Sequence, residues 1–398
     1  MGVLFFYIHM KATNIKEGIY WVGAIDLSVR NFHGYLTQRG TTYNAYLIID
    51  EKITLVDSVK ETHTDEMLSR ISSIIDPSKI DVIICNHVEP DHSGAISAIV
   101  EKNPNVTVVT CASGKKGLEQ HYYGNWNYHI IKTGDTYSIG KRSFEFLLTP
   151  MVHWPDNMIC YMPEEKILFS NDSFGQHYAT SARFDDEVSK DEALYEAKKY
   201  FANIVLPYSS QVLKELEAAS KFDIELMCTS HGIIWKKYIA DIVQLYNTWA
   251  RNVTKKKVVI AYDTMWKSTE KMAYALYEAF EQEGYEIALR NLQVNHESDV
   301  MTDVIDSEYI CVGSPTLNSE MMTNVAGFLT YMRGLAPKGG RKAIAFGSFG
   351  WNGKSIPGVE QYLKDCNYDV KAVFTHQYRP TKEDLRAITQ KTIEIINQ

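Results

Sequence analysis

The chain has 398 residues, of which 45% are hydrophobic and 23% charged, the balance of a soluble globular protein of two or three domains. Its formal net charge of -8, from 41 basic and 49 acidic residues, argues against a nucleic-acid binder, which would carry a basic stripe. Six cysteines (Cys85, Cys111, Cys160, Cys228, Cys311 and Cys366) form no C-x-x-C pair, which argues against a zinc ribbon, a rubredoxin-type iron site or a disulfide framework; they read as buried, reduced thiols of a cytoplasmic protein.

In chain order, the run at residues 3–8 is apolar but too short to span a bilayer, and it lacks the flanks of a signal peptide. No other segment reaches membrane-spanning length. Residues 19–23, 42–49 and 53–57 read as strands, with Asp50-Glu51-Lys52 turning between the last two. A helix is expected over about 63–75. A buried strand at 82–85 then runs directly into His87-Val88-Glu89-Pro90-Asp91-His92, read as a loop. A helix over 94–101 follows, then strands at 107–110, 144–148 and 167–170. Helices are expected at 190–201, 210–219 and 238–251. The composition shifts at Lys255-Lys256-Lys257, and beyond it strands and helices alternate regularly. Residues 258–262, 287–289, 309–313, 343–347 and 370–373 read as strands, and 270–283 as an amphipathic helix, which makes a doubly wound sheet.

Four potential metal ligands in six residues, directly after an apolar strand, make a segment built to converge on something. His153, Asp172 and His231 each follow a strand, so all seven side chains are expected to meet at one edge of a sheet. Four imidazoles and three carboxylates can serve two ions if one carboxylate is shared. Two imidazoles and a carboxylate per ion, with open positions, suit ferrous iron; zinc is open on ligand grounds alone.

This pattern resembles the metallo-β-lactamase fold, whose hydrolase members have a histidine where this chain has Glu89. Glutamate there, together with a flavodoxin-like second half, resembles the flavodiiron proteins (A-type flavoproteins), and the resemblance runs from about Lys16 to the end of the chain. It implies an αββα sandwich over residues 1–252 and a doubly wound, flavodoxin-like parallel sheet over 253–398. It implies that one iron is held by His87, Glu89 and His153, the other by Asp91, His92 and His231, with Asp172 bridging. His33, His177 and Tyr200 match positions near the diiron pocket.

In the second half, three strand-end loops are placed to hold a ligand at the carboxyl edge of the sheet. The first is Thr264-Met265-Trp266-Lys267-Ser268-Thr269, whose hydroxyls and helix-opening N–H groups suit a phosphate monoester. It resembles the flavodoxin phosphate loop but lacks its usual glycine, with Lys267 in that neighbourhood. The second, Ser314-Pro315-Thr316-Leu317-Asn318, and the third, Gly347-Ser348-Phe349-Gly350-Trp351-Asn352, resemble flavin-ring loops, where Trp351 can stack near the ring. FMN is expected. The absence of a G-x-G-x-x-G fingerprint disfavours a dinucleotide.

The resemblance implies an enzyme in which electrons pass from an external donor through FMN to a diiron centre that reduces dioxygen to water, nitric oxide to nitrous oxide, or both. It also implies a head-to-tail homodimer, or a dimer of such dimers, with the flavin of one subunit facing the diiron site of the other. A separate rubredoxin and reduced deazaflavin (coenzyme F420) are both compatible as donors. Two other readings stand beside it: a zinc hydrolase fused to a flavodoxin, against which Glu89 weighs, and a non-enzymatic redox carrier or sensor, against which the complete ligand set weighs.

Overall fold

The computed structural model describes residues 9–335 and 340–398; the apolar run at 3–8 lies outside them. These residues form two units, one containing residues up to His33, Thr37–Tyr200 and Ser210–Asn247, the other Gly34–Leu36, Phe201–Ser209 and Thr248–Gln398.

The first unit is built on two sheets. Strand Val82–Ile84 shows how its sequence does this. All three residues are β-branched and buried; Val82 and Ile84 join the core between the sheets, while Ile83, with Cys85, joins the core under the outer helices. Tyr46 and Ile48 against Leu47 repeat the alternation in strand Tyr46–Ile48. The seven-stranded sheet runs Thr13–Lys16, Ile19–Trp21, Tyr46–Ile48, Thr54–Val56, Val82–Ile84, Thr107–Cys111, Asn127–Ile131. The five-stranded sheet runs Thr136–Ser138, Ser143–Leu148, Met158–Met162, Ile167–Asn171, Leu226–Thr229. Helices Thr64–Ser72, Ile96–Lys102 and Ala112–Tyr122 place Met67, Ile71, Ile96, Ile99 and Leu118 in the outer core, completing one helical layer of the expected αββα sandwich. Lys190–Tyr200, Ser209–Ala219 and Ile239–Ala250 are the remaining long helices of this half of the chain and bury Ala193, Ala197, Val212, Ile242 and Tyr246.

Several elements differ from the sequence reading. The expected strand at 42–49 is broken into Thr41–Tyr43, which pairs with Ala24–Asp26, and Tyr46–Ile48. The break is at Asn44, whose backbone and side-chain amides bond to the carbonyls of Ser230, Thr229 and Gly232 instead of continuing a ladder. Residues 90–93 are a helical turn, not a loop, because Pro90 at its first position is pre-set for helix; the helix expected over 94–101 runs Ile96–Lys102. Strands Asn127–Ile131, Thr136–Ser138 and Met158–Met162 were not expected.

The second unit carries a five-stranded sheet in the order Glu286–Asn291, Lys255–Tyr262, Ser307–Gly313, Lys342–Phe349, Asp369–Gln377, with every neighbouring pair parallel. Helices Ser268–Gln282 and Lys382–Ile396 cover one face through Met272, Leu276, Phe280 and Ile388. Glu297–Val304, Thr323–Leu335 and Ser355–Asp365 bury Val300, Phe328, Leu329 and Val359, which accounts for the helices of the other winding and makes the sheet doubly wound as expected. Among the described residues, no helix is long and apolar enough to cross a membrane. All six cysteines are buried and unpaired.

Candidate metal centre and flavin cavity

The seven ligand-type residues converge, but not at one edge of one sheet. His87 follows Val82–Ile84 of the seven-stranded sheet, whereas His153, Asp172 and His231 follow Ser143–Leu148, Ile167–Asn171 and Leu226–Thr229 of the other. Two facing sheets end together, and the helical turn Pro90–Ser93 carries Asp91 and His92 to the same place.

They form two groups. His87, Glu89, His153 and Asp172 bring one ligand atom each within 4.8 Å of one another, as do Asp91, His92 and His231. Asp172 reaches both. Its Oδ2 lies 3.3 Å from His153 Nε2 and 3.7 Å from His87 Nε2; its Oδ1 lies 3.1 Å from His92 Nε2 and 3.6 Å from His231 Nε2. Glu89 Oε2 is 3.3 Å from both His87 Nε2 and His153 Nε2, and Asp91 Oδ2 is 3.2 Å from His231 Nε2.

The electrostatics call for cations. Burial alone would lower the imidazoles, but the carboxylates beside them outweigh it and raise His87 and His153 to about 10 and His92 to about 9. Burial would likewise raise Asp172 and Glu89, yet the facing histidines hold both well below the usual carboxylate range. Both oxygens of Asp91, both ring nitrogens of His92 and Oδ2 of Asp172 are buried without a hydrogen-bond partner, an arrangement that costs about 1–3 kcal/mol per group unless something else satisfies them. A donor set of imidazoles and carboxylates without a thiolate fits two borderline dications such as ferrous iron. The nearby thiol of Cys85 instead donates to the His87 carbonyl at 3.2 Å.

Sequence reasoning missed the groups that aim these ligands. Asp156 Oδ2 accepts from His87 Nδ1 at 2.9 Å and from the Val88 N–H at 2.8 Å, which turns His87 Nε2 inward. The Thr42 carbonyl accepts from His231 Nδ1 at 2.7 Å and does the same there. A carboxylate three residues beyond His153 was the available signal for Asp156; nothing local marked Thr42.

The three candidates around the centre differ in kind. His33, with its side chain 75% exposed, lies 3.1 Å from Glu89 Oε1 through Nε2, and that hydrogen bond raises its pKa. Tyr200 is buried and donates to Asp172 Oδ1 at 3.0 Å. His177 is buried, with Nδ1 2.8 Å from Thr41 Oγ1 and its ring 5.0 Å from that of His231; burial first, and then His231, pushes its pKa well down and keeps it neutral.

In the second unit, a cavity of about 1030 Å³ opens at the carboxyl ends of the parallel strands. Most of the residues anticipated from the three loops line it: Met265, Trp266, Lys267, Ser268, Pro315, Thr316, Leu317, Asn318, Ser348, Phe349, Gly350, Trp351 and Asn352. Thr264, Thr269, Ser314 and Gly347 stand outside that lining. Thr269 Oγ1 bonds Ser348 Oγ at 2.9 Å, and a Cβ on Gly347 would fall 2.0 Å from the Ser314 carbonyl oxygen, so glycine there lets two strand ends close up. Lys267, where the flavodoxin-like loop would carry glycine, takes a left-handed φ of 64°. Lys271, Ser319, Tyr378 and Arg379 also line the cavity and were missed. Tyr378 and Arg379 follow the fifth parallel strand, Asp369–Gln377, to which the same strand-end rule applied. The cavity offers hydroxyls, helix-opening N–H groups and two tryptophans, Trp266 and Trp351, that are 90% and 91% exposed: partners for a phosphate and a flat ring.

Residues 41–232 match the family described as "ODP family beta lactamase", and residues 260–383 match "Flavodoxin". The chain is 44% identical over 379 residues to "Nitric oxide reductase" of Moorella thermoacetica, covering 94% of this chain and 95% of that one. It is 42% identical over 369 residues to "Rubredoxin-oxygen oxidoreductase" of Megalodesulfovibrio gigas, covering 91% and 92%. The crystal structure of the flavodiiron protein from Giardia intestinalis superposes with a TM-score of 0.94 at 36% identity, covering 97% of this chain and 96% of that one. Likeness of this degree, continuous through both halves, means that the chain belongs to the flavodiiron protein family.

Proposed function

We propose that this protein is a flavodiiron oxidoreductase that reduces dioxygen to water, nitric oxide to nitrous oxide, or both, with electrons from an external donor. The observation that carries the reading is Asp172, with one oxygen toward His87 and His153 and the other toward His92 and His231. When bound, a ferrous pair offers two electrons and open positions to one diatomic molecule, and FMN relays further electrons.

The rest follows from the chain's own groups. His87, Glu89 and His153 would hold one iron and Asp91, His92 and His231 the other, with Asp172 reaching both groups. Tyr200 fixes Asp172 in the bridging orientation. His33 exchanges protons with solvent at the mouth of the site, and neutral His177 packs His231 in place. Ser268 and the helix-opening N–H groups beside it take the FMN phosphate, Lys267 adds charge there, and residues 315–318 and 348–352 frame the ring. Residues 1–252 act as the diiron domain and 253–398 as the FMN domain. The names of the Moorella and Megalodesulfovibrio relatives support both gaseous substrates, and the latter supports a rubredoxin as donor; reduced coenzyme F420 is the alternative. The working form is a cytoplasmic head-to-tail homodimer, or a dimer of such dimers, in which each flavin serves the partner's metal centre.

The test is an anaerobic assay of the iron- and FMN-loaded protein, with reduced rubredoxin and reduced F420 in parallel, following added dioxygen and nitric oxide separately. Consumption of either gas is expected. Consumption of neither, with a reductant that bleaches the flavin, overturns the reading; metal quantitation showing zinc in place of iron would favour the hydrolase.

A further inference from the structure

Tyr43 is fully buried in strand Thr41–Tyr43, in the same unit as the metal centre, and its ring lies 6.0 Å edge-to-face from that of His231. Its hydroxyl donates to Asp26 Oδ2 at 3.3 Å. The strand pairing Ala24↔Tyr43 and Asp26↔Thr41 fixes the two side chains on neighbouring strands.

Asp26 is a divided carboxylate. Its Oδ1 is committed to a turn, accepting from the Ser28 N–H at 2.9 Å, the Ser28 hydroxyl at 2.7 Å and the Val29 N–H at 3.0 Å. Those bonds outweigh burial and keep the group ionised. Oδ2 is left for Tyr43 and for His63, whose Nε2 lies 4.0 Å away and whose side chain is 20% exposed. The His63 ring is also 5.1 Å from that of Tyr43. A phenol beside a metal-type histidine therefore ends on a carboxylate outside the ligand set, which ends on a histidine that reaches solvent. The charged and titratable groups facing Tyr43 are Asp26, Asp91, His63 and His231.

A structural phenol needs none of this. Tyr200, the other buried tyrosine at the centre, donates to Asp172, whose charge is committed to the metal-type histidines, so its proton has nowhere to go. We propose that Tyr43 is a redox-active tyrosine that lends the metal centre one electron, its phenolic proton passing to Asp26. The inference rests on the dioxygen-reducing reading above. Dioxygen takes four electrons to become water; two ferrous ions would hold two, Tyr43 supplies a third while the flavin is not yet reduced, and the external donor supplies the fourth. In the step, Tyr43 loses one electron and its O–H bond breaks. An O–H bond forms on Asp26 Oδ2, and dioxygen is the oxidant that gains the electron. An electron from the external donor, with the proton returned by Asp26, restores the phenol. The 3.3 Å separation is within the range that tightens when a proton moves.

The test uses the iron- and FMN-loaded protein reduced by two electrons per chain, mixed rapidly with dioxygen, frozen and examined by electron paramagnetic resonance. A tyrosyl signal that narrows when the protein carries ring-deuterated tyrosine is expected; a flavin signal does not respond to that label. The signal should be lost in Tyr43→Phe and weakened in Asp26→Asn, with iron and FMN contents and circular dichroism checked in each. Dioxygen consumption without a tyrosyl signal, or a signal that survives Tyr43→Phe, overturns this inference alone. Failure to consume dioxygen at all overturns the dioxygen reading and this inference with it.

Discussion

The metal centre and the flavin cavity are built on opposite principles. The centre gathers ionisable side chains out of water: His87 and His92 are 0% exposed and Asp172 and His231 1%. A buried charge must be compensated by its neighbours, so each residue type there is dictated by the others. The cavity is an open strand-end hollow whose walls are loop backbone, small hydroxyls and two nearly bare tryptophans. Many side chains can frame such a hollow, so residue identity carries less of its meaning than position on the sheet does.

Substitutions should separate the two regimes. The largest effect is expected from Asp172→Ala. It removes the one carboxylate that reaches both groups, and should abolish gas reduction and most iron binding while leaving FMN bound; iron analysis beside flavin absorbance checks this, and full iron with full activity would refute the bridging role. Asp156→Ala touches no metal but frees His87 to rotate, and should weaken iron affinity about 10–100-fold in a chelator competition.

Glu215 probes the cost of burial in the first unit. Burial raises its pKa from 4.5 to about 7, against a small pull from the Ser173 hydroxyl. The unfolded carboxyl ionises first as pH rises, so the native state binds the extra proton between those values. Stability then falls across that window and levels above it. Glu215→Gln should match wild type near pH 4 and exceed it above pH 7 by roughly 3 kcal/mol in urea unfolding.

In the second unit, Gly347→Ala forces a methyl against the Ser314 carbonyl and should destabilise that unit by about 1–3 kcal/mol and loosen FMN, with iron content unchanged. Loss of iron in this variant would break the contrast between the sites. The smallest effect is expected from Lys267→Gly, which relieves a left-handed residue and should stabilise by about 1 kcal/mol in thermal melts. Any accompanying loss of FMN affinity would measure the charge that Lys267 contributes.

The sequence by itself located the cluster of ligand-type side chains, because buried imidazoles and carboxylates have few alternatives, and it determined the parallel sheet, because strands covered on both faces must be continuous apolar runs such as residues 258–262. It also located three of the strand-end loops, which depend only on chain direction. Tertiary structure decided the rest. That His87 and His153 come from different sheets, that Asp172 divides its oxygens between two groups, and that Asp156 and the Thr42 carbonyl aim the imidazoles all depend on contacts between segments distant in sequence. The break at Asn44 has the same origin: a β-rich run yields when its amides find carbonyls at residues 229–232, and no local propensity records that bargain between remote strands.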